Sequence, residues 1–467
     1  MTTPLLRVTF RGAAQTVTGS MHQVAAPRRR LLLDCGLFQG KRAEAHARNS
    51  RFPFDPREID AVLLSHAHID HCGNLPTLVK SGFRGAIHCT PATRDLIAVM
   101  LADSAHIQQE DADYLNRKRE RGQPKAAPLY SQEDVIRTLR QVESVPYERT
   151  LRLGRGVEAS FHEAGHLLGS AQIHLRVEEA GRQASLTFTG DLGRRGIPIL
   201  RDPAPVPPCD LLISESTYGG KRHEAVEETA ATLGEVVRRT FDRGGKLFIP
   251  AFSLGRTQTV LYFFHQLRVA GQMPDVPVYV DSPLAAESTE VFRLHPECFD
   301  DETLAVLQHD PNLFGGRTVR YVRDAQESRK LNGKPGPLVV IAASGMCEAG
   351  RIRHHLKHGL EDERNTVLIV GFQAPETLGR HLVEKRAEVR ILDRMVKRRA
   401  EVVTLNGFSS HADQGDFDAF LGPLAGTAKK ACLVHGEPDR AAALAESLRK
   451  AGFAEVLVPA PGDVAEV

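Results

Sequence analysis

The stretch that most constrains what this chain can fold into is AVLLSHAHIDHCG, residues 61–73. Its apolar start reads as a buried strand that runs straight into His66, His68, Asp70 and His71. Those donors sit at i, i+2, i+4 and i+5, a spacing that suits a loop leaving a strand better than one face of a helix. Gly73 and Pro76 interrupt any regular element beyond them. Neutral imidazole is a good ligand for zinc, and a carboxylate can join it. A solvated loop accounts for one histidine but not for three histidines and an aspartate.

Four donors could close a single structural zinc site. Three further segments point past that reading. EAGHLLGSAQ places His166 between glycines, LTFTGDLGR places Asp191 at a strand end, and LNGFSSHAD places His411 in another strand-end loop. Taken singly each is weak, since such an aspartate commonly caps a turn and a lone histidine commonly serves as a hydrogen-bond partner. Together they give seven candidate ligands, too many for one tetrahedral ion. Two ions about 3.5–4 Å apart, sharing a carboxylate and a hydroxide, would use them all.

The rest of the chain sets the frame. At 467 residues it is long enough for two or three domains. Its seven cysteines are scattered and never form C-x-x-C, which argues against a disulfide framework or a cysteine zinc ribbon and leads us to expect a cytoplasmic protein. The N-terminus lacks a signal-peptide pattern and no window is long enough to span a membrane, so no membrane partner is expected. A net charge of +2 means that any nucleic-acid surface must be local. Residues 92–120 read as a helix, and the run Arg117, Lys118, Arg119 and Arg121 at its end reads as a solvated helix end in preference to an RNA contact. EEAGRQ marks a hairpin and RDPAPVPPCD, 201–210, a seam.

Past that seam, strands alternate with helices in the pattern of a parallel sheet. Ser253 and Arg256 in FSLGR, and Ser344 and Gly345 in AASGM, fall where strand ends meet helix starts, a natural phosphate cradle. Turn chemistry and capping explain them equally well. The same holds for RMVKRR, 394–399, as an RNA path or a solvated edge. His354, His355 and His358 read as solvated helix residues, and structural roles weigh at least as much as any other for His22 and His435.

SHAHIDHCG, GHLLGS, TGDLGR and VHGEP resemble the metallo-β-lactamase superfamily. SESTYGG, PAFSLGRTQ, VDSPLA, AASGMCEAGR, ETLGRH and GFSSHAD resemble its β-CASP branch, the nucleases related to the cleavage and polyadenylation endonuclease and to ribonuclease J. The resemblance implies an α/β protein: an αββα sandwich over 1–219, an inserted β-CASP domain on a mainly parallel sheet over 220–379, and a closing part of the sandwich over 380–467. It implies two zinc ions, one held by His66, His68 and His166, the other by Asp70, His71 and His411, with Asp191 bridging and Asp34 orienting ligands from behind. Asp70, Glu215 and His381 would carry catalysis, Glu215 holding His381 as general acid.

The implied reaction is hydrolysis of single-stranded RNA by a metal-activated hydroxide, leaving a 5′-phosphate and a 3′-hydroxyl. In the family, histidine at the position of His411 goes with RNA enzymes. A DNA nuclease and a small-molecule metallohydrolase are the alternatives, and a homodimer is compatible with the sequence. Read without the resemblance, Glu215 suits a turn cap and His381 a helix surface. One departure stands out: Pro375-Glu376 replaces the Glu-Gly that commonly precedes TLGR.

Overall fold

In the computed structural model, which describes residues 3–119, 125–374 and 376–467, the apolar run before the histidine loop is a strand, Ala61–Leu63, with every side chain buried. It pairs in parallel with Arg29–Leu33 on one side and Ala86–Cys89 on the other. A strand covered on both faces needs a continuous apolar run rather than an alternating one.

Its sheet has seven strands, antiparallel where Arg7–Gly12 meets Met21–Ala26 and parallel from Arg29–Leu33 to Val142–Ser144. A second seven-stranded sheet repeats the design. It is antiparallel from Leu151–Gly154 to Arg182–Phe188, then parallel through Leu211–Glu215, Lys430–Val434 and Val456–Leu457. Leu31, Leu33 and Leu63 of the first sheet share one buried cluster with Ile173, Leu186 and Ile213 of the second. Each such side chain contributes about 1.5–3 kcal/mol relative to exposure. The other face of the second sheet is covered by helices Gln414–Leu421 and Pro438–Ala451, with Phe417 and Leu444 packed on Leu212 and Leu433. The expected hairpin joins Ala171–Glu179 to Arg182–Phe188 through Ala180 and Gly181, whose φ of 52° and 76° are those of the tight turn that matches strand twist.

The chain divides into two units, 1–195 with 202–222 and 410–467, and 196–201 with 223–409. The proline-rich stretch 201–210 lies almost wholly in the first unit, just after the short 196–201 segment of the second, and the main passage into the second unit comes at His223. The closing part of the first unit starts at Ser410, where the sequence reading put it at 380. The reason is strand pairing: Glu401–Thr404 lies parallel to Thr366–Ile369 as the edge strand of the second unit's sheet. That sheet has six strands, all parallel, ordered Val319–Tyr321, Val278–Asp281, Leu338–Ala342, Lys246–Pro250, Thr366–Ile369, Glu401–Thr404.

The three neighbouring histidines do not share one environment. His354 and His358 are exposed, but His355 is buried, its Nε2 2.6 Å from Asp281 Oδ2 and its Nδ1 2.8 Å from Asn332 Oδ1. Helix Ile352–Gly359 buries residues 352, 355, 356 and 359, and a histidine on that stripe goes inward. The basic segment 394–399 forms strand Arg394–Lys397 of a hairpin, with Val396 buried and its neighbours exposed. Arg117, Lys118 and Arg119 are exposed at the end of helix Pro91–Lys118, while Arg121 and Pro375 lie outside the described residues. Among the described residues no helix is long and apolar enough to cross a membrane.

The loop after Arg29–Leu33 is held at Gly36 against the short helix Ile69–Cys72, which carries Asp70 and His71. A Cβ there would lie 1.6 Å from the Asp70 carbonyl oxygen, and that oxygen also accepts the Ser20 N–H at 2.8 Å. Gly36→Ala is therefore expected to lower stability by about 1–3 kcal/mol, as overpacking does. Chemical denaturation with an unchanged slope would check it.

Candidate metal centre

The chemistry-bearing side chains of the first unit gather at the carboxyl ends of parallel strands, where α/β sheets commonly bind ligands. Asp34 follows Arg29–Leu33, His66 follows Ala61–Leu63, Asp191 follows Arg182–Phe188, Glu215 ends Leu211–Glu215, and His435 follows Lys430–Val434. His166 comes from the loop joining Val157–Glu163 to Ala171–Glu179. His411 is brought in by an antiparallel bridge to Gly193. A Cβ on Gly193 would sit 2.1 Å from the Gly165 carbonyl oxygen, so the Asp191 and His166 loops meet only because that residue is glycine.

The first cluster is His66, His68, His166 and Asp191. His68 Nδ1 lies 3.1 Å from His66 Nε2 and 3.2 Å from His166 Nε2. Asp191 Oδ2 stands 3.6 Å from His66 Nε2 and from His166 Nε2. Burial drives all three imidazoles toward the neutral, ligand-competent form: His66 and His166 fall well below the usual range and His68 to about 4. Ser65 Oγ gives its proton to Asp34 at 2.9 Å, so it accepts the His66 Nδ1 proton at 3.0 Å and leaves Nε2 as a bare lone pair aimed at the cluster.

The second cluster is Asp70, His71 and His435. His435 Nε2 is 3.3 Å from His71 Nε2 and 3.4 Å from Asp70 Oδ2, while Asp191 Oδ1 is 3.3 Å from both His71 Nε2 and His435 Nδ1. Asp191 therefore faces both clusters. Behind them, Asp34 Oδ2 accepts the His71 Nδ1 proton at 2.7 Å and the Ser20 hydroxyl at 3.1 Å, and Oδ1 accepts the Ser65 N–H at 2.8 Å. Thr217 plays the corresponding part for His435. Its hydroxyl donates to the His435 carbonyl at 2.9 Å, so at 3.2 Å from Nδ1 it acts as acceptor and leaves Nε2 free.

These donors fit a pair of cations. A tetrahedral ion with bonds of about 2.0–2.1 Å sets its donors about 3.3–3.4 Å apart, and the separations here run from 3.1 to 3.6 Å. Burial disfavours a charged His71, but Asp191 and Asp34 outweigh it and raise its pKa well above the ordinary value. That proton stands where a cation would bind. Burial likewise disfavours an ionised Asp191, and His435 and His71 overcome it, holding the carboxyl well below its usual range.

His411, expected among the ligands of the second ion, falls in a third group of possible ligands, with Asp191 and Glu215. Its Nδ1 is 3.0 Å from Glu215 Oε1, and the same carboxylate accepts the Leu192 N–H at 2.8 Å and the Thr217 N–H at 3.2 Å. Within the first unit, the imidazole that Glu215 engages is thus His411. His411 still stands beside the centre, its ring 4.4 Å from that of His166. His381 belongs to the second unit, in helix Leu378–Val383. The residue that sequence reasoning passes over is His435. The signal is present in KACLVHGEP, an apolar strand running into histidine and glycine, the same grammar as the first motif.

Burial lowers the pKa of His411, but the Glu215 carboxylate prevails and raises it to about 9. The pair's contribution to stability is complete below about 6.5, the ordinary histidine value, and is lost as pH rises through about 9. In metal-free protein, Glu215→Gln should bring the His411 midpoint down toward the ordinary value, read by nitrogen NMR of the ring.

Three family models match the sequence: the metallo-beta-lactamase superfamily over 24–221, the Beta-Casp domain over 257–382, and the Zn-dependent metallo-hydrolase RNA specificity domain over 395–459. A ribonuclease of Thermus thermophilus is 39% identical over 447 residues, covering 96% of this chain and 97% of that protein. The transcription termination factor FttA of Methanocaldococcus jannaschii is 32% identical, covering 97% of this chain and 70% of its own length. A solved structure, a protein of unknown function from Enterococcus faecalis V583, aligns with a TM-score of 0.58 over 99% of this chain and 100% of its own at 15% identity, a likeness of fold.

Proposed function

The chain belongs to the β-CASP branch of the metallo-β-lactamase superfamily, and on that premise we propose that it is a zinc-dependent ribonuclease that hydrolyses phosphodiester bonds of single-stranded RNA. The observation that carries the reading is the pair of donor clusters sharing Asp191, with a carboxylate-held imidazole at their edge. His66, His68, His166 and Asp191 would hold one zinc ion, and Asp70, His71, His435 and Asp191 the other. Two bound zinc ions supply Lewis acidity, which makes water a nucleophile near neutral pH and offsets charge on the phosphoryl oxygens.

The protein's own residues do the rest. Asp34, Ser65 and Thr217 fix the ring orientation of His71, His66 and His435, so the donor atoms are in place before substrate arrives. As the bond from phosphorus to the 3′-oxygen breaks, that oxygen needs a proton. His411, kept protonated by Glu215, holds one at its second ring nitrogen, and donation there leaves a 3′-hydroxyl and a 5′-phosphate. The support for RNA is the family model named for RNA specificity and the relative named a ribonuclease. The same setting suits a cytoplasmic protein with no membrane partner.

The test offers labelled single-stranded RNA, matching DNA and a chromogenic lactam to zinc-loaded protein, with His68→Ala as control. RNA alone should be cut, and the control should be inert. Preference for DNA or the lactam would replace this reading with the corresponding nuclease or small-molecule hydrolase. His411→Ala should lose about 10²–10⁴-fold in turnover, the usual worth of a general acid. It should also lose the alkaline limb of the pH profile. If His381→Ala shows that loss of the limb and His411→Ala does not, the proton donor is His381, as the family resemblance implies.

A further inference from the structure

Of the 20 phenylalanines, the exposed ones among the described residues are Phe252, at 46%, and Phe372, at 61%. They are not scattered. Both belong to the second unit, and both stand just past the carboxyl ends of neighbouring parallel strands, Lys246–Pro250 and Thr366–Ile369. Phe248 is opposite Val367, and continuing that register brings Phe252 level with Gly371, the residue before Phe372. Exposing two large rings at neighbouring strand ends costs hydrophobic stabilisation, so their placement calls for a ligand with flat apolar faces.

The loops that present the rings are fixed. Phe252 ring carbons would lie 3.0–3.3 Å from a Cβ on Gly345, so the ring rests on that backbone and any side chain there would displace it. The Phe252 carbonyl accepts from Thr257 N at 3.2 Å and Oγ1 at 2.8 Å. Gln373 Nε2 donates to the carbonyls of Gly345, Gly371 and Phe372, each at 3.0 Å, and ties the two loops together. Beside Phe372 there is room: a Cβ on Gly371 would meet nothing within 4 Å.

The surroundings are polar and electropositive rather than apolar. Helices Arg256–Val269, Pro283–Leu294 and Ile352–Gly359 all start at this edge of the sheet, each presenting roughly half a positive charge. Of the acidic groups of the edge, Glu376 is exposed in the loop that carries Phe372, and two others are engaged. Asp281 pairs with Arg351 at 2.7 Å and His355 at 2.6 Å, and Glu348 accepts the Leu378 N–H at 2.6 Å. Exposed aromatic faces within a rim that favours anions are the recognition chemistry of single-stranded nucleic acid. An apolar protein partner would instead call for an apolar rim.

We propose that Phe252 and Phe372 form a stacking platform for unpaired bases of single-stranded RNA, in the setting of Ser253, Arg256, Ser344 and Gly345. The proposal rests on the ribonuclease reading and names where that substrate's bases are held. It also gives Gly345 a reason of its own, as the floor under Phe252.

The test is fluorescence anisotropy of the full-length protein in chelator with a labelled oligouridylate, and with heparin as a polyanion that has no bases. Phe252→Leu and Phe372→Leu should each weaken oligouridylate binding roughly five- to hundredfold, the usual worth of one stacked base. Phe→Trp at either position should retain binding, and heparin affinity should not move. The platform is overturned if the double leucine variant, with the parent's thermal midpoint, binds oligouridylate within twofold of the parent. Equal loss of heparin binding overturns it too. A parent protein that neither binds nor cuts RNA defeats the ribonuclease reading instead, whereas normal binding by the double variant of an RNA-cutting parent defeats only the platform.

Discussion

The first unit is organised around the carboxylate of Asp191. It is almost wholly buried, with Oδ2 3.6 Å from His66 and His166 and Oδ1 3.3 Å from His71 and His435. A buried carboxylate without compensating charge costs several kcal/mol, so the histidines around it are a requirement of folding as well as of chemistry. They come from both sheets. His66 and His71 leave the first sheet, His435 leaves the second, and His166 comes from a hairpin loop of the second. The apolar cluster between the sheets sets the distance at which those strand ends meet.

A second layer of hydrogen bonds decides which nitrogen faces inward. Asp34 acts on His71 directly and on His66 through Ser65, while Thr217 acts on His435. Thr217 also gives its N–H to Glu215, which holds His411. One residue thus joins the donor cluster to the proton-holding pair. Asp34 and His435 adopt φ of 58° and 46°, conformations that side chains seldom take and that tight surroundings must enforce.

Much of this is legible in the sequence, because the information is local. Strand followed by clustered donors is a pattern within one segment, and His66, His68, Asp70 and His71 can be read from spacing alone. Asp191 and His166 need only the recognition of strand ends. The roles of His411 and His435 are not legible, since each depends on a partner far away in the chain: Glu215 for His411, and Thr217 with Asp70 for His435. Two histidines in similar strand-end loops look alike until pairing between sheets separates them. The boundary at Ser410 is hidden for the same reason, because the parallel partner of Glu401–Thr404 is set by sheet order rather than by its own residues. His355 reads as surface because it is polar, although the periodicity of its helix puts it on the buried stripe.

The proposed function stands on two cations sharing Asp191, the second held by His435 while His411 pairs with Glu215. Anomalous diffraction at the zinc edge from zinc-loaded crystals tests it directly. Two peaks about 3.5–4 Å apart are expected, one bonded to His66, His68 and His166, the other to Asp70, His71 and His435, with Asp191 reaching both. A single peak, or a second peak bonded to His411 in place of His435, would contradict it.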